Sequence, residues 1–212
     1  HAPVRAYVLG ERASLSDRPG GADNDVITDQ EIDHMAAIVR DAVKAGAVGF
    51  SSSRIILHRD KSGNLTPGTM AQEAEMLALG RAIAEGGGGV FEGAFDFATY
   101  DDVPMNQRDE EKMKVFAAKE WHWMTKVASE YKVAFSFATD PVRTEMMRQF
   151  NMDHDELLMT SQAFIRPQGL LISTHSRTNP FRFTKTYRRL QKEGKVRHHV
   201  VNLEIMRRPE IR

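Results

Sequence analysis

The segment Gly49–Asp60, GFSSSRIILHRD, concentrates polar side chains directly after an apolar, strand-like run. It contains Ser51, Ser53, Arg54 and His58. A guanidinium beside hydroxyl groups suits a substrate carboxylate, because arginine donates two parallel hydrogen bonds and serine adds shorter ones. A histidine here can ligate a metal ion or transfer a proton. We therefore predict that the two serines and the arginine bind substrate and that the histidine is catalytic. The alternative is a polar loop that hydrogen-bonds its own backbone.

Glu92 is a second candidate, because it lies within an apolar run that reads GVFEGAFD. An unpaired carboxylate in such a run is costly, so it needs a partner: a metal ion, an arginine or a substrate amine. The period-2 alternation of a strand places Val90, Glu92 and Ala94 on one face. We predict a catalytic role for Glu92, with a structural ion pair as the alternative.

Arg166 and His175 flank a later strand-like run, Leu170–Thr174. A histidine at the carboxyl end of a strand is a candidate metal ligand or acid–base group. We predict that both side chains contact substrate. The alternative for His175 is a packed or solvated residue.

The chain lacks several patterns of known chemistry. No two histidines stand at HxH or HExxH spacing, so the sequence identifies no set of metal ligands. No GxSxG segment is present, and the absence of cysteine excludes thiolate ligands and cysteine nucleophiles within these 212 residues. The metal-ligating residues, if any, are therefore unknown from these patterns.

Strand-like runs alternate with helical patterns along the chain. Four of the runs begin at residues 4, 47, 90 and 133, each 43 residues after the one before. Thr28 with Glu31, and Thr69 with Gln72, match the spacing of residues that cap the start of a helix. The predicted strands are Val4–Leu9, Ala47–Ser52, Val90–Phe95, Val133–Ala138 and Leu170–Thr174, and two further helices are predicted over residues 109–131 and from Pro141.

This alternation predicts an α/β fold with parallel strands joined by right-handed crossovers. A (β/α)8 TIM barrel and an open doubly wound sheet both fit it, although no GxGxxG follows any strand. Four or five units are about half of a barrel of eight, and half a barrel leaves two strand edges unpaired. We therefore expect residues 1–212 to be an internal portion of one barrel domain. Such a portion would associate with missing parts of its own chain or with copies of itself.

Composition argues against two classes of partner. The 29 basic and 29 acidic residues cancel, which gives no electrostatic reason to expect nucleic acid or an anionic membrane. No apolar run approaches the roughly 20 residues of a membrane-spanning helix. With no cysteine and no visible signal peptide, the expected location is cytoplasmic.

Segments spread over nearly the whole chain resemble one family, the D-aminoacylase or N-acyl-D-amino-acid deacylase branch of the amidohydrolase superfamily (amidohydrolase family 3). The opening HAPVRAYVLGERA resembles that family's GHxxxRxxVMG segment. The stretch KAGAVGFSSSRIILHRDKSGNLTPGT resembles its EAGAxGFSTSR segment, followed by LHR and PGT. The remaining matching segments are EMLALGRAI, GVFEGAFDF, IRPQGLL, NPFRFTKTYRRL and RRPEIR.

The resemblance implies a metal-dependent hydrolase in which a (β/α)8 barrel is paired with a small β-sandwich. It also implies a divalent metal, usually zinc, and a metal-bound water that cleaves a non-peptide amide C–N bond. The family's HxH motif would lie before His1 and its catalytic aspartate after Arg212. Family histidine positions read Ala94 on one strand and Phe137 and Ala138 on another.

These patterns leave two hypotheses of different classes and, as a third possibility, a different lyase or hydrolase that uses the barrel without a metal. The first is an amidohydrolase of the N-acyl-D-amino-acid deacylase type, whose substrate is a small N-acyl amino acid or related amide. In that case Glu92 is the nearest candidate to replace a lost histidine ligand. The second is a barrel-derived binding or structural subunit without catalysis, which the replaced histidines favour.

Overall fold

The structure is a computed structural model that describes residues 1–14, 27–55, 58–59, 65–95, 109–138, 141–154, 158–163 and 184–194. Within these ranges helices and strands alternate. The helices are α1 (Ala2–Leu9), α2 (Asp29–Lys44), α3 (Glu73–Gly86), α4 (Glu110–Tyr131), α5 (Pro141–Met152) and α6 (Lys185–Lys192), with a 3-10 turn at Gly10–Ser14. The strands are β1 (Gly49–Arg54), β2 (Val90–Phe95), β3 (Ala134–Ala138) and β4 (Met159–Gln162).

The four strands form one parallel sheet whose order, β1-β2-β3-β4, follows the chain. The predicted α/β class is therefore confirmed. In β1 and β2, Gly49 stands beside Val90, and a Cβ on Gly49 would lie 1.9 Å from the Val90 carbonyl oxygen. Glycine is thus required where these two strands begin, because any side chain would force them apart.

One face of the sheet forms the hydrophobic core. Phe91 and Phe135 stack at 5.2 Å between ring centroids, and Trp123 of α4 packs against both rings. Buried methionine, leucine, isoleucine and valine side chains from α2, α3, α4 and α5 join the same cluster. The opposite face of the sheet is half-buried or exposed, so the described helices cover the sheet on one side only.

The predicted strand Val4–Leu9 is wrong, because these residues belong to α1. A short apolar run does not distinguish a strand from a buried helical turn by periodicity. Pro3 suits the first turn of a helix, where its missing N–H costs no hydrogen bond. Arg5 and Leu9, four residues apart, are the buried positions of α1, as expected for one helical face.

Two other elements, α3 and β4, differ from the predictions. Helix α3 begins after Gln72, and the Thr69 hydroxyl instead donates to the Thr66 carbonyl within a turn. Strand β4 was not predicted, because its sequence MTSQ carries a single large apolar residue. Its start is held by Asn151, whose side-chain oxygen accepts from the Met159 N–H at 2.9 Å. The predicted strand Leu170–Thr174 lies outside the described residues.

The predicted capping box of α2 is confirmed. Thr28 accepts a hydrogen bond from the Glu31 N–H, and the Glu31 carboxylate accepts from the Thr28 N–H at 2.9 Å. None of the described helices combines the length and the apolar character that crossing a membrane requires.

Replacing Thr28 with alanine is expected to lower the free energy of unfolding by about 1 kcal/mol, because a first-turn N–H loses its acceptor. The Thr28 backbone N–H also holds the pKa of the Glu31 carboxyl below its ordinary value. A lowered carboxyl pKa stabilises the fold at neutral pH, and this contribution is lost as the pH falls through the folded-state pKa. Urea unfolding at pH 7 and at pH 3 measures both effects, and an unchanged midpoint at pH 7 would contradict the capping role.

Candidate site on the open face of the sheet

The face of the sheet opposite the core, called here the open face, carries polar and small side chains. Ser51 and Glu92 are exposed there and stand side by side in the register of β1 and β2. Glu92 is next to Ser136 of β3, which is next to Thr160 of β4. A row of hydroxyl and carboxylate groups therefore crosses all four strands.

Glu92 lies on this face together with Val90 and Ala94, as its alternation predicts. Its carboxylate accepts a hydrogen bond from the Gln162 side-chain amide at 3.2 Å. The same amide nitrogen contacts the Ser136 hydroxyl at 3.2 Å, so Gln162 bridges two strands. Because Glu92 is exposed and pairs with a neutral amide, its negative charge stays available to a ligand cation or N–H group.

His58 lies beside Ser53 just beyond the carboxyl end of β1. The distance between His58 Nδ1 and Ser53 Oγ is 2.5 Å, and the pair is exposed. Backbone hydrogen bonds position the histidine: the His58 N–H donates to the Ile55 carbonyl at 3.1 Å, and the Thr66 N–H donates to the His58 carbonyl at 3.1 Å. When Nε2 carries the ring proton, the serine hydroxyl donates to Nδ1.

Arg54 lies on the opposite, buried face and is 6% exposed. Its Nε and Nη2 donate to the two carboxylate oxygens of Glu120 at 2.5 and 2.6 Å, and Nη1 donates to the Ala71 carbonyl at 3.0 Å. The guanidinium also lies over the Trp123 ring, 5.9 Å from its centroid. These contacts favour a structural role for Arg54, which joins β1 to α4, over the predicted contact with substrate.

A second buried polar cluster was not predicted. The His1 ring contacts the Ser52 hydroxyl at 2.8 Å through Nδ1 and the Glu75 carboxylate at 2.7 Å through Nε2. Arg5 donates to both oxygens of Glu75, at 2.8 and 3.0 Å. The sequence feature that indicates this cluster is the i,i+4 spacing of His1 and Arg5, which places the N-cap residue and Arg5 on the same side of α1. Gly68 leaves room for the ring, since a Cβ there would lie 2.5 Å from it.

The Ser52–His1–Glu75 connectivity is that of a serine, histidine and carboxylate triad, but its surroundings are those of a core. Ser52 is 6% exposed, His1 is 8% exposed and Glu75 is 1% exposed. A nucleophile must reach a substrate carbonyl, which burial on the helix-covered face prevents. We interpret this cluster as a buried ion pair that fastens α1 to α3.

The predicted substrate residues Arg166 and His175 lie outside the described residues. Within the described part of the chain, no three histidine, cysteine, aspartate or glutamate side chains come close enough to hold a metal ion. The groups around Glu92, the Gln162 amide that donates to it and the neighbouring Ser136 hydroxyl that contacts the same amide, are not the nitrogen, sulfur and carboxylate donors that zinc prefers. The described surroundings of Glu92 therefore do not fit the zinc site that the family resemblance implies.

Comparisons of the chain with protein-family models, with curated proteins and with solved structures each found no match.

Proposed function

We propose that this chain is part of a hydrolase of non-peptide amide C–N bonds, similar to an N-acyl-D-amino-acid deacylase, and that the open face binds its substrate. The observation that carries the proposal is the placement of polar side chains. Ser51, Ser53, Glu92 and Gln162 share the uncovered face, and His58 stands at the carboxyl end of β1. Ligand sites of parallel α/β folds are built at that end of the strands.

The topology supports a barrel rather than a doubly wound sheet. A doubly wound sheet reverses its strand order and carries helices on both faces. Here the strand order follows the chain, and the core-forming helices lie on one face. In a barrel, the helices form an outer ring and the other face of each strand lines the interior. The open face then corresponds to the interior of the proposed barrel.

Four residues on or beside the open face take part in binding or in proton transfer. Ser51 and Ser53 donate hydrogen bonds to substrate oxygens, and Glu92 accepts from a substrate N–H. His58 acts as the base: it takes up a proton from the group that attacks the amide carbonyl and later returns a proton, a role that suits an imidazole. In the family that the chain resembles, a bound zinc would supply an activated water molecule. The described donors around Glu92 do not fit a zinc site, so the described residues carry the roles above without a metal.

A specific observation favours the second candidate, a binding subunit without catalysis. Phe137, at a family histidine position, is fully buried in the core on the helix-covered face. A side chain at that position points away from the open face, so a histidine there would not reach a ligand on it.

Product formation separates the two functions. The unaltered protein is incubated with N-acetyl-D- and N-acetyl-L-amino acids, with and without added zinc, and released amine is measured by mass spectrometry. Amine release above a heat-denatured control supports the hydrolase. Saturable binding of the same compounds without any amine release, in both metal conditions, supports the binding subunit and overturns the hydrolase.

A further inference from the structure

We propose that Ser53 is a nucleophile, deprotonated by His58, that takes up the acyl group of the substrate as a covalent ester. This inference rests on the proposed function, because the acyl group is that of the same amide. It assigns an attacking group where the sequence predicted only a hydrogen-bond donor. The observation behind it is the contact of 2.5 Å between Ser53 Oγ and His58 Nδ1.

The surroundings single out Ser53 among three consecutive serines. Ser52 contacts a histidine, but it is 6% exposed on the helix-covered face. Ser51 is exposed on the open face, but no hydrogen bond joins its hydroxyl to another described residue. Ser53 combines a histidine partner with a position that a substrate reaches, and a serine nucleophile needs both.

The residues beside Ser53 leave space for an acyl group. Ser53 stands next to Ala94 of β2 in the strand register. Since Gly93 pairs with Phe137, the next step of the register sets Ala94 beside Ala138, which itself pairs with Gln162. Two methyl groups therefore lie between Ser53 and the backbone of Gln162. Neighbouring strands are about 4.8 Å apart, so three spacings separate Ser53 from Gln162 by roughly 14 Å, and the two small side chains between them leave space for a short acyl chain.

Water is the one further reactant that the reaction needs. The Ser53 hydroxyl proton passes to His58 Nδ1 as Oγ forms a bond to the acyl carbon. The C–N bond then breaks, and the leaving amine takes that proton from His58. Water next attacks the ester, giving its proton to His58, and the carboxylic acid leaves as the proton returns to Ser53 Oγ.

Different parts of the chain position the two members of the pair. Ser53 lies within strand β1, whereas His58 is held by backbone hydrogen bonds with Ile55 and Thr66. The strand therefore positions the nucleophile, and the hydrogen bonds after the strand position the base. General-base catalysis requires the base to lie within hydrogen-bond reach of the atom that gives up the proton, at most about 3.2 Å between heavy atoms, and the Ser53–His58 contact meets this requirement.

The test uses diisopropyl fluorophosphate, which phosphorylates activated serines and releases fluoride. We expect a single adduct in the intact mass, placed on Ser53 by peptide mapping. Ser53→Ala is expected to lose this adduct, and His58→Gln is expected to slow its formation by roughly 100-fold or more. Ser161→Ala and His122→Gln are the matched controls, because both replace exposed residues outside the pair and outside the open face, and both are expected to react as the unaltered protein does.

Circular dichroism confirms that each variant is folded before its reaction is followed. No adduct on the folded protein, or an adduct that forms equally fast in Ser53→Ala, would overturn the inference. Amine release without an adduct would overturn the nucleophile but keep the hydrolase. An adduct on Ser53 without release of amine from any N-acyl amino acid would support the nucleophile and overturn the amide substrate.

Discussion

Replacing Glu120 with alanine is expected to lower the free energy of unfolding by about 3–5 kcal/mol, because the Arg54 guanidinium is left buried without its counter-charge. Both carboxylate oxygens of Glu120 accept from Arg54, and the two side chains are each 5% exposed. The pair lies beside Trp123, so water does not readily replace the lost contacts. The loss is measured by urea unfolding of the unaltered protein and the variant.

Glu110 of the same helix supplies the control for that measurement. Its side chain is 77% exposed, and it pairs only with the solvent-exposed Lys114 among the described residues. Glu110→Ala is therefore expected to change stability by no more than about 0.5 kcal/mol. A double variant, Arg54→Met with Glu120→Leu, is expected to recover much of the loss, because it removes both charges. Equal effects of Glu110→Ala and Glu120→Ala would show that the buried pair does not stabilise the fold.

The second large effect is expected at Glu75, which accepts hydrogen bonds from Arg5 and His1. Glu75→Ala removes the carboxylate that the buried Arg5 guanidinium and the His1 ring both contact, so the free energy of unfolding should fall by about 3–5 kcal/mol. Helix α1 should separate first, because this cluster joins it to α3. Hydrogen exchange measured by mass spectrometry is expected to show faster exchange in residues 2–9 than in α4.

Glu73 is the matched control for Glu75, since it lies two residues earlier in the same first turn and is 44% exposed. Glu73→Ala removes a favourable charge at a helix N-terminus, which is expected to cost about 0.3–1 kcal/mol. Exchange in α1 should stay unchanged in that variant. If Glu75→Ala left α1 protected, the cluster would not be what holds α1 in place.

Long, strongly periodic elements were the ones that sequence predicted well. The helix predicted over residues 109–131 is α4, and the predicted strand Val90–Phe95 is β2 without change. Asp109 caps α4 by accepting from two backbone N–H groups of its first turn. Helix α1 and strand β4 were not predicted, because both are short and owe their conformation to distant partners. Those partners, Glu75 and β3, are not adjacent in sequence.

The alternation of side chains along β1 decides which of its residues lie on the open face. Period 2 sends Ser51 and Ser53 to one face and Ser52 and Arg54 to the other. The same alternation separates Arg54 from Ser51 and Ser53, with which it is predicted to bind substrate. Its partner Glu120 lies 66 residues away and was not predictable from local patterns. The Ser53–His58 contact depends on the backbone hydrogen bonds of His58 with Ile55 and Thr66, which a one-dimensional pattern does not describe.

We propose that the open face binds the substrate through Glu92. The most direct test compares kcat/KM for release of amine from an N-acetyl amino acid by Glu92→Gln and by Glu145→Gln, an exposed control on α5. Losing a charged hydrogen bond to the substrate is expected to lower kcat/KM by about tenfold or more in Glu92→Gln. Glu145→Gln should match the unaltered protein. Equal kcat/KM values for both variants and the unaltered protein would contradict the account.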